Sequence, residues 1–348
     1  MLNYSVTEAR AWAREKFVGA AAVTHPSFTA DFSQLNEDAI RHDVLRLKEM
    51  GYTGTLLVAE VNITPEENAR MAAIAREAAG PDFGLFFHAI YGTLEQNIEA
   101  AKLATESGVD RALLAYPASF WPTSLDEVFD YTKRFTEETQ LATMLFPLPA
   151  WGFERIHPAG MPVDFVRRII DELPNIVAIK AEQGYPGIPG LMEMYHHFRD
   201  EVVISSPIEA STIPLMSQMD IQYSATANTN WMGDYYPRVF DMARNGQWEE
   251  AMKLYWQATP ARAANDAVSA TSTPGTNMIS RTQWKYQEWL SGYNGGALRP
   301  PATKLPDRFM KQLRASLEAS GLYVTDSPDE EFVHGRVPAR APRVSVGA

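Results

Sequence analysis

Short apolar runs alternate with amphipathic stretches from residue 18 to about residue 224. The runs occupy residues 18–23, 54–59, 83–87, 111–115, 141–146, 176–179, 202–205 and 221–224. Each is the length of one strand, and the run Ile176-Val-Ala-Ile179 is of the kind that fills a parallel strand buried on both faces. Helical patterns fit between them, at residues 38–50, from residue 64 onward, and at 93–107, 124–138 and 163–173. Thr64-Pro-Glu-Glu is a helix start, with an N-capping hydroxyl, proline at the first position and acids in the first turn. Ser124 and Glu127 have capping-box spacing. Strands alternating with helices imply a parallel α/β sheet, and eight such units predict a closed (β/α)8 barrel. No Gly-x-Gly-x-x-Gly follows the first run, which speaks against an open dinucleotide-binding sheet.

Past the eighth run the pattern turns wholly helical, at residues 235–245, 248–264, 282–292 and 307–320. The expected organisation is therefore a barrel with a short N-terminal helical segment over residues 1–232 and a C-terminal helical region over 233–323. Residues 324–348, rich in Pro, Arg, Val and acids without helical period, read as an extended or disordered tail free to drape over a neighbouring subunit.

Composition narrows the function. A net charge of -12 argues against nucleic acid as a partner, since that needs a concentrated basic surface. No apolar stretch is long enough to span a membrane, and the polar N-terminus has no signal core, so the expected location is the cytoplasm. With no cysteine there is no disulfide, thiolate nucleophile or thiolate metal site. Adjacent His196 and His197 would point about 100° apart on a helix, and no metal site is expected.

The chemistry is expected at Lys180. It ends an apolar strand, Ile176-Val-Ala-Ile-Lys180, at the end of the strands where barrel enzymes work. An amine held there can lose its proton and attack a carbonyl; the bland alternative is a lysine that snorkels to solvent. Pro174-Asn-Ile-Val-Ala-Ile-Lys180 resembles the Schiff-base strand of the dihydrodipicolinate synthase/N-acetylneuraminate lyase family of class I aldolases. Thr64-Pro-Glu-Glu, Ser107-Gly-Val-Asp110, Ser224-Ala-Thr-Ala-Asn228 and Ala243-Arg-Asn-Gly-Gln-Trp248 are similar to further family segments, in the same order, over about residues 18 to 320.

The resemblance implies a lysine imine with a 2-oxo acid such as pyruvate, no separate cofactor, an aldehyde as second substrate, and a homotetramer or homodimer. It requires a neutral amine. Bringing a lysine from a pKa of about 10.4 to neutrality takes about 4 kcal/mol of differential solvation, which burial in a barrel mouth supplies.

The chain departs from the family pattern where the family holds the substrate carboxylate and shuttles protons. A Gly-Thr-Thr-Gly-Glu loop is replaced by Glu60-Val-Asn-Ile-Thr64, and the tyrosine of Tyr-Asn-Val-Pro by Phe146 in Phe146-Pro-Leu-Pro149. On the fourth strand Ser119 stands nearest the position of a family tyrosine. Candidates for the missing proton transfer are Tyr91, His157 and Glu182, with His88 and Glu60 beside them; Glu182 shares a strand face with Lys180 and could equally be only its ion-pair partner. Candidates for contacting substrate are Glu60, Asn62, His88, Ser119, Phe146, Trp151, Ala227 and Asn228. Glu60 could pair with Lys180, and His88 could instead be a buried histidine bonded to a backbone carbonyl. Tyr116, Phe120, Trp121, Phe146, Trp151, Phe153 and Trp231 are expected at the mouth, where they would suit a hydrophobic or aromatic substrate, or else pack as lid or interface. The expected activity is that of an aldolase or hydratase-aldolase. A dehydratase using the same imine, or a non-catalytic binding relative, are the alternatives.

Overall fold

Eight parallel strands close on themselves: β1 Gly19–Thr24, β2 Gly54–Leu57, β3 Gly84–Ala89, β4 Arg111–Leu114, β5 Ala142–Leu145, β6 Ile176–Lys180, β7 Val203–Ser205 and β8 Tyr223–Ser224. Each strand pairs with the next in sequence, and β8 returns to β1 through Gly19↔Tyr223 and Ala20↔Ser224. The (β/α)8 expectation is borne out, with every strand inside or within a residue or two of its apolar run. These features come from a computed structural model, which describes residues 2–182, 187–225, 228–272, 281–302 and 304–339.

Seven helices follow strands around the barrel: α2 Glu37–Glu49, α3 Pro65–Ala79, α4 Leu94–Glu106, α5 Leu125–Thr139, α6 Val163–Glu172, α7 Ile188–Phe198 and α8 Glu209–Leu215, while α1 Ala9–Lys16 precedes β1. Local chemistry starts several of them. Thr64 and Glu67 form a reciprocal capping box, and the Asn36, Thr93 and Ser124 side chains accept from the third helical N–H. At α5 the expected box is only half made, because the Glu127 carboxylate accepts from Thr123 instead of turning back to Ser124.

Alternation along each strand sorts residues into two cores. Leu56, Val58, Phe86, Met144, Phe146 and Ala178 face the barrel interior, while Leu57, Phe87, Leu145 and Ile179 pack outward on the helices. The N-terminal end of the barrel is plugged. Ala9, Ala13 and Phe17 of the α1 segment are fully buried beneath it, and Arg10 donates to the carbonyls of Ile170, Leu173 and Ile176. The Arg111 guanidinium lies 4.6 Å from the Phe17 ring and 4.9 Å from Trp12. Gly54 lets β2 run against β3, since a Cβ there would stand 2.7 Å from the Gly84 carbonyl oxygen. With one end closed, the interior opens only at the carboxyl ends of the strands.

The C-terminal region adds α9 Tyr235–Arg244, α10 Trp248–Gln257, α11 Thr259–Ser272, α12 Arg281–Leu290 and α13 Asp307–Ala319. The single helix expected over 248–264 is two, broken at Ala258 as Thr259 and Pro260 begin a new one; proline lacks the N–H that would continue the first. The tail also differs from expectation. Residues 324–339 pack on this chain's own helices: Phe332 is buried against Tyr286 and Trp289, Arg314 meets Asp329 at 2.6 Å, and the Val337 N–H donates to Asn294 Oδ1. Its aromatic and paired charges give that segment a place to bury, which composition alone does not reveal.

Candidate active site

Lys180 Nζ stands in a cavity of about 450 Å³ at the carboxyl ends of the strands. Strand parity builds the floor. Glu60 continues the inward series of β2, His88 that of β3, Phe146 that of β5, and Lys180 with Glu182 that of β6. Leu148, Trp151, Ile208, Trp231 and Met232 form the walls, and α11 and α12 roof it with Asn265, Asp266, Ser269, Arg281 and Trp284.

The lysine is 7% exposed. Its amine lies 3.9 Å from the centre of the Phe146 ring and 3.6 Å from Glu182 Oε2, near enough for attraction and too long for a tight hydrogen bond. Burial pulls its pKa below the ordinary lysine value; Glu182 opposes this, Arg281 reinforces it, and the net direction is down. Across the barrel Glu60 accepts from Arg281 Nε and lies 3.7 Å from His88 Nε2. Burial alone would push the Glu60 carboxyl up, but the adjacent guanidinium and His88 hold it down at about 2. Burial pushes His88 down to about 4 against the pull of Glu60, with Arg281 and Lys180 adding to the effect. At neutral pH the floor thus holds an anionic Glu60, a neutral His88 and an amine biased toward neutrality. Such a set can attack a carbonyl and move protons beside it.

A family model for the dihydrodipicolinate synthetase family matches residues 51–320. The chain belongs to the dihydrodipicolinate synthetase family. As a member it is an enzyme of the lyase class. An uncharacterized DapA-like lyase of Pyrobaculum arsenaticum is 22% identical over 312 residues, covering 88% of this chain and 99% of that protein. Among solved structures, N-acetylneuraminate lyase from Fusobacterium nucleatum superposes with a TM-score of 0.70 at 17% identity, covering 89% of this chain and 99% of that one. The 4-hydroxy-tetrahydrodipicolinate synthase of Methylacidiphilum fumariolicum SolV gives a TM-score of 0.74 at 20% identity, covering 88% and 96%. These likenesses agree with the barrel.

Of the residues the sequence nominates, Lys180, Glu182, Glu60, His88, Phe146, Trp151 and Asn228 line the family member's cavity. Four do not. The Tyr91 hydroxyl donates to the Thr64 carbonyl and its ring stacks on Phe87, on the outward side of β3, where burial raises its pKa far above neutrality. His157 is exposed, its Nδ1 accepting from the Ala159 N–H. Ser119 donates to the Gly92 carbonyl. Asn62 is a turn residue with φ of 57°, its side chain on the Pro300 carbonyl. Ala227 lies outside the described residues. Glu60 bonds to Arg281 instead of pairing with Lys180. Of the expected aromatic mouth, Tyr116 stacks on Phe120 and both meet Phe153 edge-on, with the Tyr116 hydroxyl on Thr132 behind β4, and Trp121 lies exposed under Arg155.

Arg281, Trp284 and the Arg262–Glu209 pair are cavity residues that the sequence reading passes over. Their signal was faint but present. Trp284, Tyr286, Trp289 and Leu290 spread widely around α12, leaving that helix no solvent face, so its polar residues must meet partners inside. Among the described residues no group of three or more His, Asp or Glu side chains has the arrangement of a metal site, and no helix is long and apolar enough to cross a membrane.

The buried imidazole has a consequence for stability. An unfolded chain protonates His88 near pH 6.5, whereas the folded protein keeps it neutral down to about 4. Its share of stability is therefore complete above pH 6.5 and lost as pH falls toward 4, by about 2 to 3 kcal/mol. Denaturant midpoints should fall between pH 7 and 4.5, and the His88→Gln variant should show a shallower fall. Equal slopes in the two proteins would refute this.

Proposed function

We propose that this family member forms an imine between Lys180 and a 2-oxo acid, and makes or breaks the C3–C4 bond to an aldehyde as an aldolase or hydratase-aldolase. The reading is carried by the buried amine at the mouth of the barrel, with a lowered pKa and no tight hydrogen bond to an acid. The neutral amine attacks the ketone carbon, and the carbonyl oxygen takes two protons and leaves as water. In the cleavage direction the C3–C4 electrons move into the iminium as the C4 hydroxyl loses its proton, releasing the aldehyde and leaving an enamine. Protonation at C3 and hydrolysis then return the 2-oxo acid and the free lysine. Glu182, 3.6 Å from Nζ, is the group we assign to proton transfer at the nitrogen. His88 and Glu60 face it from across the floor. Phe146, Leu148, Trp151, Trp231 and Trp284 favour a hydrophobic or aromatic aldehyde portion.

The test is incubation of the intact protein with pyruvate and borohydride, followed by mass measurement and peptide mapping. A reduced adduct on Lys180 is expected, formed faster as pH rises through the depressed lysine pKa. No adduct across a panel of 2-oxo acids would sink the imine and leave a binding role. An adduct with water elimination from a 2-oxo sugar acid, and no aldehyde exchange, would replace the aldolase by a dehydratase.

A further inference from the structure

A ketone carbon in reach of Lys180 Nζ places its neighbouring carboxylate in the same cavity, where a buried anion needs a cation or N–H donors. Among the described residues three cations line that cavity. Lys180 becomes the imine. Arg262 is committed elsewhere: its guanidinium donates to Glu209 at 2.9 Å, to Tyr235, to the Tyr255 carbonyl and to Thr259. Arg281 remains. It enters from α12 over the floor, its Nε fixed by Glu60 and its guanidinium 4.8 Å from the Trp284 ring. A guanidinium offers five N–H donors in a planar fork, and the bond to Glu60 uses only Nε. After β8, Asn228 lines the same cavity, and both its amide nitrogen and its amide oxygen are buried and without a hydrogen-bond partner among the described residues. A buried amide left unpaired is costly unless a ligand completes it.

We infer that Arg281, oriented by Glu60, together with Asn228 binds the carboxylate of the 2-oxo acid, so that a helix beyond the barrel selects the substrate. This rests on the imine reading above. It also gives the C-terminal helices a direct part in the site, because α12 brings both the charge and the Trp284 wall. Arg281 has a second effect at a distance, since its charge helps to hold the Lys180 amine low.

Borohydride trapping of pyruvate set against its uncharged amide, pyruvamide, tests the clamp. Wild-type protein should be half-labelled at pyruvate concentrations about 10- to 100-fold below those needed for pyruvamide. Arg281→Met should erase most of that preference by weakening pyruvate and leaving pyruvamide unchanged, and Arg281→Lys should restore part of it. The pH profile of labelling by either ketone should also move to higher pH in Arg281→Met, because a lost positive neighbour lets the lysine pKa rise; the preference for pyruvate over pyruvamide, compared at matched lysine ionisation, is what reads the clamp itself. The double variant Arg281→Met with Glu60→Gln removes both charges, and serves if the single change leaves Glu60 too poorly paired to fold. Full preference for pyruvate in either variant overturns the clamp. Wild-type labelling by both ketones without preference overturns it while sparing the imine, whereas labelling by neither removes the imine and the clamp together.

Discussion

Lys180→Ala should yield no borohydride-stable adduct with any 2-oxo acid and lower turnover by about 10⁴-fold or more, as expected when a covalent nucleophile is removed. Lys180→Arg should fail equally, because a guanidinium stays charged at any pH the protein survives. The fold should tolerate the loss. Nζ touches the Phe146 ring and approaches Glu182, and neither contact anchors an element. A lysine whose folded pKa lies below its unfolded one costs stability at neutral pH, because the unfolded chain holds the proton more tightly. Removing it therefore returns some free energy and offsets the lost packing of its stem. Labelling by pyruvate and thermal melts, run on the same preparations, check both halves. Turnover retained in Lys180→Ala, or an adduct on another lysine, would end the imine proposal.

The barrel was legible because most strands are short, predominantly apolar runs set off by helix caps and turns, and burial on both faces is the natural home for such runs. The same logic put a lysine at the end of β6 in plain view. Side chains beyond the strand ends were harder. Tyr91 looked suitable by its nearness to the end of β3, but His88 faces inward and parity sends Tyr91 to the side of Phe87. Counting by twos from Phe86 would have rejected it, and the same count from Leu56 and from Ala178 supports Glu60 and Glu182. Ser119 and His157 sit in loops, where no periodicity constrains direction. Arg281 lies about a hundred residues from Lys180, and only tertiary packing of α12 brings them together. Polar residues on a helix normally mark its wet side; here the aromatic residues around the helix override that rule.

Glu288→Ala should destabilise the protein by about 3 to 5 kcal/mol, the summed cost of leaving two buried donors, the His25 ring N–H and the Asn230 amide, without the carboxylate that accepts from them. Glu288 Oε2 lies 3.0 Å from His25 Nδ1, and Oε1 accepts from Asn230 Nδ2 at 2.9 Å. All three residues are buried, joining α12 to the end of β1 and to the turn before α9. Burial pushes the His25 pKa down despite Glu288, so the ring is neutral at pH 7 and its Nδ1–H must be the donor to the carboxylate. His25 Nε2 then has no partner among the described residues, which leaves Glu288 as the ring's support. Beside it Lys285 Nζ donates to the Pro26 carbonyl, seating α12 on the β1–α2 connection, and just past the helix the Asn294 N–H donates to Asp43 of α2. Glu288→Gln keeps an acceptor and a similar shape and should recover much of the loss. Because α12 also carries Arg281 and Trp284 into the cavity, Glu288→Ala should weaken pyruvate labelling well below its melting temperature, although residue 288 does not line the cavity. Denaturant unfolding and labelling on one set of variants separate the cases. A Glu288→Ala protein within about 0.5 kcal/mol of wild type, the range of ordinary surface substitutions, would show that α12 is seated by its aromatic side chains alone.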